Sequence, residues 1–82
     1  MMMTIEYLQW SRKHLSRTDG DVLLLLSIYP EGLNLQEMRQ LIGLKRSAQA
    51  NTLYKLKALG CVRELPRKRY VLSRPIEEMI KG

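Results

Sequence analysis

Eighty-two residues carrying fourteen Lys and Arg against eight Asp and Glu make a basic chain of formal net charge +6, with one cysteine and one histidine. At this length a single domain, 1–82, is expected, with a marginal core that buries about 60% of the surface its unfolded form exposes. Cys61 alone excludes an internal disulfide. The longest apolar run, Val22 to Tyr29, falls far short of the ~20 residues that span a bilayer, and Glu6, Gln9 and Arg12 interrupt any leader pattern, so a cytoplasmic, nucleoid-associated protein is expected.

Residues 4–16 have helical periodicity. Ile5, Leu8 and Leu15 share one face, and Tyr7, Trp10 and His14 form a second strip beside it. Two strips need two surfaces. One is expected to cover the core and the other to face a partner. Thr18 and Asp21 match a capping pattern that opens the next helix. That helix is apolar nearly all round as far as Tyr29, so it is expected at the centre of the core.

Pro30-Glu31-Gly32 reads as a turn, and Leu33 as a short bridging strand. Asn34 with Glu37 forms a capping box for a third helix. Its inward residues are Leu35, Met38, Leu41 and Ile42; Gln36, Glu37, Arg39 and Gln40 face outward. Gly43 stops it, and Leu44 packs back. Lys45 and Arg46 lead to Ser47, the expected cap of a fourth helix. Leu53, Leu56 and Leu59 form its inner face, with Gln49 and Thr52 at the margins. Ser47, Ala50, Asn51, Tyr54 and Ala58 lie opposite, flanked by Lys55 and Lys57.

Gly60 ends that helix. Cys61–Leu65 and Arg69–Leu72 then form a hairpin, with Val62, Tyr70 and Leu72 inward and Pro66, Arg67 and Lys68 in the turn. Cys61 reads as a buried thiol. Pro75 suits the first turn of a last helix, 75–81. Its stripe of Ile76, Met79 and Ile80 cannot stand alone in water and must dock.

The charge is uneven. From Lys45 to Arg74 nine cations stand against Glu64 alone, an excess of eight, which leaves −2 for the rest of the chain. Such a segment is the footprint of a polyanion partner. A solvated basic face is the plainer interpretation, but these charges coincide with one helix and one hairpin. The third and fourth helices, joined by a turn of about four residues, have helix-turn-helix spacing. In that geometry the N-terminal half of the second helix enters the major groove. Asn51 is the best base reader, since an amide both accepts from and donates to adenine. Lys45, Arg46, Ser47 and Gln49 stand at the leading end, Ala50 permits close approach, and Tyr54 and Lys55 reach phosphates. Arg67, Lys68 and Arg69 at the hairpin tip suit phosphates or a narrow minor groove. Protection of a sheet edge would need one lysine and not three cations.

On the pattern Ser47…Leu53-x-x-Leu56-x-x-x-Gly60-Cys61-Val62, and on Arg69-Tyr70-Val71-Leu72-Ser73, residues 18–73 resemble the winged helix-turn-helix domains of small bacterial regulators of the MarR, ArsR and PapI kinds. Thr52 and Gln49 replace residues that are usually apolar in that pattern, and ArsR-type metal ligands are absent. The resemblance implies a mainly α fold with a small β-hairpin wing, here extended by N- and C-terminal helices. It also implies a transcriptional regulator that binds double-stranded DNA, often as a homodimer. Ile5, Leu8, Trp10 and Leu15 of the first helix and Ile76, Met79 and Ile80 of the last are the candidate dimer interface. No metal, cofactor, small-molecule ligand or membrane partner is expected.

Catalysis is not expected either. His14 is the only histidine, no Cys/His cluster offers a zinc site, and Glu77 and Glu78, adjacent on a helix, point apart. Two rivals remain open. One is a winged-helix protein-interaction module that docks on a larger complex through its terminal helices. The other is a binder of structured RNA.

Overall fold

The computed structural model describes residues 5–81. The elements run α1 (Ile5–His14), α2 (Arg17–Ile28), β1 (Leu33–Asn34), α3 (Leu35–Ile42), α4 (Arg46–Ala58), β2 (Val62–Leu65), β3 (Arg69–Leu72) and α5 (Ile76–Lys81). The fold is mainly helical with one small antiparallel sheet of order β1-β3-β2. Residue 4, expected in the first helix, lies outside the described residues. No helix among the described residues is long and apolar enough to cross a membrane.

α2 lies at the centre, packed against α1, α3, α4 and β3. Val22, Leu23 and Leu26 are fully buried there, with Met38 of α3 and Leu56 of α4. Leu33, Leu53, Val62, Tyr70 and Met79 complete the core, and Cys61 is buried in it. Burial pushes the Cys61 thiol above its usual range.

The start of α2 corrects the expected cap. Ser16, in extended conformation, is the cap instead of Thr18: the Asp19 N–H donates to Ser16 Oγ (3.2 Å), and the Ser16 N–H donates to Asp19 Oδ2 (3.4 Å). The sequence holds two overlapping capping patterns, Ser16 with Asp19 and Thr18 with Asp21. The first is selected because Asp19 also meets α4. Lys55 Nζ lies 2.6 Å from its carboxylate, whose side chain is almost wholly covered. Burial alone would raise the Asp19 pKa. Hydrogen bonds from Lys55, Thr52 and Ser16, with the Lys55 charge, outweigh it and hold the carboxyl below its ordinary value.

α3 begins with the capping box Asn34–Glu37, both bonds 2.8 Å, and ends at Gly43, which takes the left-handed conformation (φ 67°) that glycine adopts without steric cost. Leu41 is 49% exposed instead of inward. Each residue turns a helix by about 100°, which sets Leu41 beside the inward stripe of buried Met38 and half-buried Leu35 and Ile42. α4 starts at Arg46 with Lys45 as cap and no side-chain capping bond. Ser47, the expected cap, is thus already inside the helix. Leu59 is 55% exposed, because α4 ends at Ala58 and the chain turns away beyond it. Gln49 and Thr52 are buried in the inner stripe in its stead.

β2 and β3 pair Val62 with Leu72 and Glu64 with Tyr70, and β1 pairs Leu33 with Tyr70. Val62, Tyr70 and Leu72 therefore share the face toward the helices. Val71, on the other face, is also buried, with Gly32 of the turn before β1 close beside it. A Cβ at Gly32 (φ 96°) would come within 2.7 Å of Val71 Cγ1 and 2.8 Å of the Tyr70 carbonyl. Only glycine permits that approach.

The terminal helices pack on one another within the same chain. Tyr7 is buried, and its hydroxyl donates to the Gly20 carbonyl (2.6 Å), tying α1 to α2. Burial first, and the Asp21 charge second, push its pKa up to about 12. Ile76 and Met79 are buried as well, and Trp10, Leu15 and Ile80 are half-buried. Of the residues expected at a dimer interface, Ile76 and Met79 are thus covered by their own chain, and Ile5 and Leu8 stand exposed.

Replacing Asp19 by Ala removes a cap and the partner of Lys55, and is expected to lower unfolding stability by about 1–3 kcal/mol at neutral pH. The carboxyl's pKa is lower in the folded state than its usual 3.8. Its contribution is therefore full above that value and fades as pH falls below it. Thermal unfolding of parent and variant at neutral pH and in acid checks this: the gap is expected to narrow in acid.

Candidate nucleic-acid interface

The outer face of α4 exposes Arg46, Ser47, Ala50, Asn51 and Tyr54, with Lys45 exposed just ahead of it. Tyr54 is 79% exposed, the most open of the large hydrophobic side chains among the described residues. The first turn of α4 contains no acid, and its leading N–H groups receive no side-chain cap. That end of the helix carries partial positive charge, which adds to Lys45 and Arg46.

Between α4, the start of α3 and the hairpin tip lies an open cleft of about 650 Å³. Arg39, Arg46, Lys57, Arg67 and Lys68 reach it from three segments, and no Asp or Glu lines it. Leu35, Ala50, Leu53 and Tyr54 supply apolar and aromatic surface, and Asn34 and Gln36 supply amides. Two acids border the cleft: Glu37 accepts from the Asn34 N–H (2.8 Å), and Glu64 lies on β2. Lys57 Nζ lies 3.2 Å from the Glu64 carboxylate. Hydrogen bonding from Lys57 first, and then Tyr70 with the charges of Lys57 and Lys68, hold Glu64 below its usual range. Burial, followed by the nearby Glu64 carboxylate, raises the Tyr70 pKa.

The residues named from the sequence divide into three groups. Arg46, Ala50, Tyr54, Arg67 and Lys68 converge on the cleft. Lys45, Ser47 and Asn51 are exposed on or beside α4 but outside the cleft lining. Gln49, Lys55 and Arg69 are engaged within the chain. Gln49 borders the cleft but is only 2% exposed, and both ends of its amide are engaged within the chain. Its Nε2 donates to the Leu35 carbonyl (2.8 Å), and its Oε1 accepts from Arg39 Nη1 (2.9 Å). Lys55 is paired with Asp19. Arg69 Nη1 donates to the Gly32 carbonyl (2.7 Å), which steadies the turn below the tip.

Arg39, which is not among the contacts read from the sequence, also lines the cleft, as does Lys57. The available signal was positional: Arg39 is a cation on the outward side of α3, one turn from its C-terminus.

The hairpin tip is strained. Pro66–Lys68 form a single tight turn between the paired residues Leu65 and Arg69. Arg67 (φ 67°) and Lys68 (φ 56°) both take left-handed conformations. For non-glycine residues this costs on the order of 1–3 kcal/mol each. Side-chain charge thus occupies positions where glycine would fit with less strain. Comparison with known protein families, with curated proteins and with solved structures found no match.

Arg67→Gly relieves this strain while also loosening the unfolded chain. Its unfolding free energy is expected to stay within about 1 kcal/mol of the parent or to rise. Chemical denaturation measures it, and a larger loss would mean that the Arg67 side chain itself holds the turn together.

Proposed function

We propose that the chain is a winged helix-turn-helix domain that binds duplex DNA sequence-specifically as a homodimer and regulates transcription. α3 and α4 form the helix-turn-helix, α4 enters the major groove, and the β2–β3 hairpin is the wing. The observation that carries this reading is the convergence of five cations from α3, α4 and the hairpin on one cleft that no carboxylate lines, with Lys57 alone of the five paired, among the described residues, with an acid, Glu64, outside it. Like charges gathered in this way repel one another, and a polyanion offsets that cost.

The division of labour follows from exposure. Asn51 and Ser47, on the leading half of α4, face base edges, and Ala50 lets the backbone come close. Lys45, Arg46, Arg67 and Lys68 neutralise phosphates, which sets orientation without reading sequence. Lys55 and Arg69 hold the scaffold instead of contacting phosphates.

The rival interaction module has one observation in its favour, the exposed Ile5 and Leu8 on α1. The salt dependence of binding separates the two readings. Fluorescence anisotropy with a labelled duplex at several salt concentrations is expected to give a log–log slope of about −0.9 per phosphate neutralised. Changing Arg67 and Lys68 together to Ala should flatten that slope by up to about 1.8 and weaken binding to all sequences alike. A parent protein that binds no duplex even at the lowest salt would favour the rival.

Asn51→Ala is expected to cost about 1–3 kcal/mol on a duplex selected from a random pool, and much less on an unselected one. Competition binding checks this; equal losses on both duplexes would rule out base reading by Asn51.

A further inference from the structure

We infer that Arg39 of α3 is a fixed phosphate contact at the wall of the cleft, and that buried Gln49 is the residue that positions it. This rests on the DNA-binding reading and adds a contact that lies outside α4 and the wing.

The Gln49 amide cannot turn over without loss. The Leu35 carbonyl only accepts, so it holds Nε2 and directs Oε1 toward Arg39. Gln49 is buried, so flipping its amide would leave acceptor facing acceptor without water to relieve it. The Arg39 guanidinium is therefore held by a neutral group. One of its five donors meets Gln49.

Arg39 is absent from the ion pairs among the described residues, which are Lys55–Asp19 and Lys57–Glu64. Instead it shares the cleft with Arg46, Arg67 and Lys68. A planar guanidinium fork held at one corner, with donors left over and cations as neighbours, matches the oxygens of a phosphodiester. Gln49 thus acts through Arg39. Its burial, which removes it from direct contact with DNA, is what gives it this second role.

The test uses the full chain and one labelled duplex of fixed sequence, with binding measured across a salt series. Arg39→Gln is expected to fold as the parent does and to flatten the slope by about 0.9, the value for one phosphate. Arg39→Lys should restore the slope but not the full affinity, since an ammonium keeps the charge and lacks the fork. Gln49→Met keeps every charge and should leave the slope near the parent value, while weakening binding by about tenfold as the guanidinium loses its holder. A readout independent of any variant is the Arg39 Nε–Hε resonance of the unmodified protein, which is expected to shift when the duplex is added.

An unmoved Arg39 resonance, or an Arg39→Gln variant with the parent's slope and affinity, overturns the inference while the DNA-binding reading stands. A parent with no salt-dependent duplex binding overturns both.

Discussion

The rotation of α4 about its own axis decides which of its side chains meet solvent, and two buried polar groups set that rotation. On one flank Gln49 spans to α3 through Leu35 and Arg39. On the other, Asp19 at the start of α2 receives Lys55 and Thr52. Between them Leu53 and Leu56 enter the core. Leaving a buried polar group unpaired costs about 1–3 kcal/mol. A rotated helix would break both connections at once, so apolar packing and polar pairing select the same orientation. Arg46, Ala50, Asn51 and Tyr54 are outward as a consequence.

The same pairing sorts the basic residues. Lys55, Lys57, Arg69 and Arg39 each meet an acceptor within the chain. Arg67 and Lys68 stand exposed at the end of a strained turn. The charge excess read from the sequence is thus not one uniform surface. Lys55 and Arg69 brace the helix and the hairpin, and the remainder at this surface, Arg39 and Lys57 included, lines the cleft. The reading proposed for this surface depends on that remainder, in particular on Arg46 and the two tip residues.

Local patterns were readable in the sequence where the responsible partner lies a few residues away. The Asn34–Glu37 box, the Gly43 stop, the stripe of Leu35, Met38 and Ile42, and the hairpin from Val62 to Leu72 are of this kind. Readings failed where the deciding partner is distant. Gln49 and Thr52 lie four residues before Leu53 and Leu56 and so fall on the same helical face, but their polar chemistry argues for the margin until the Leu35 carbonyl, Arg39 and Asp19 are seen to satisfy it. Lys55 looks like a phosphate contact until Asp19, far earlier in the chain, is placed beside it. The two overlapping caps before α2 are equivalent locally, and contacts from α4 choose between them. The left-handed tip was hidden because Arg67 and Lys68 give none of the signal that glycine or asparagine would. Of the candidate contacts named from the sequence, Gln49, Lys55 and Arg69 are engaged within the chain, and each by a partner that local pattern does not reveal.

The most direct measurement is a map of backbone amide shifts across the whole chain as a DNA duplex is titrated in. The proposed interface predicts changes concentrated at residues 45–54 and 66–68, with α1 and α5 little affected. Changes centred on Ile5 and Leu8, or no changes at any residue of α4 and the hairpin tip, would contradict it.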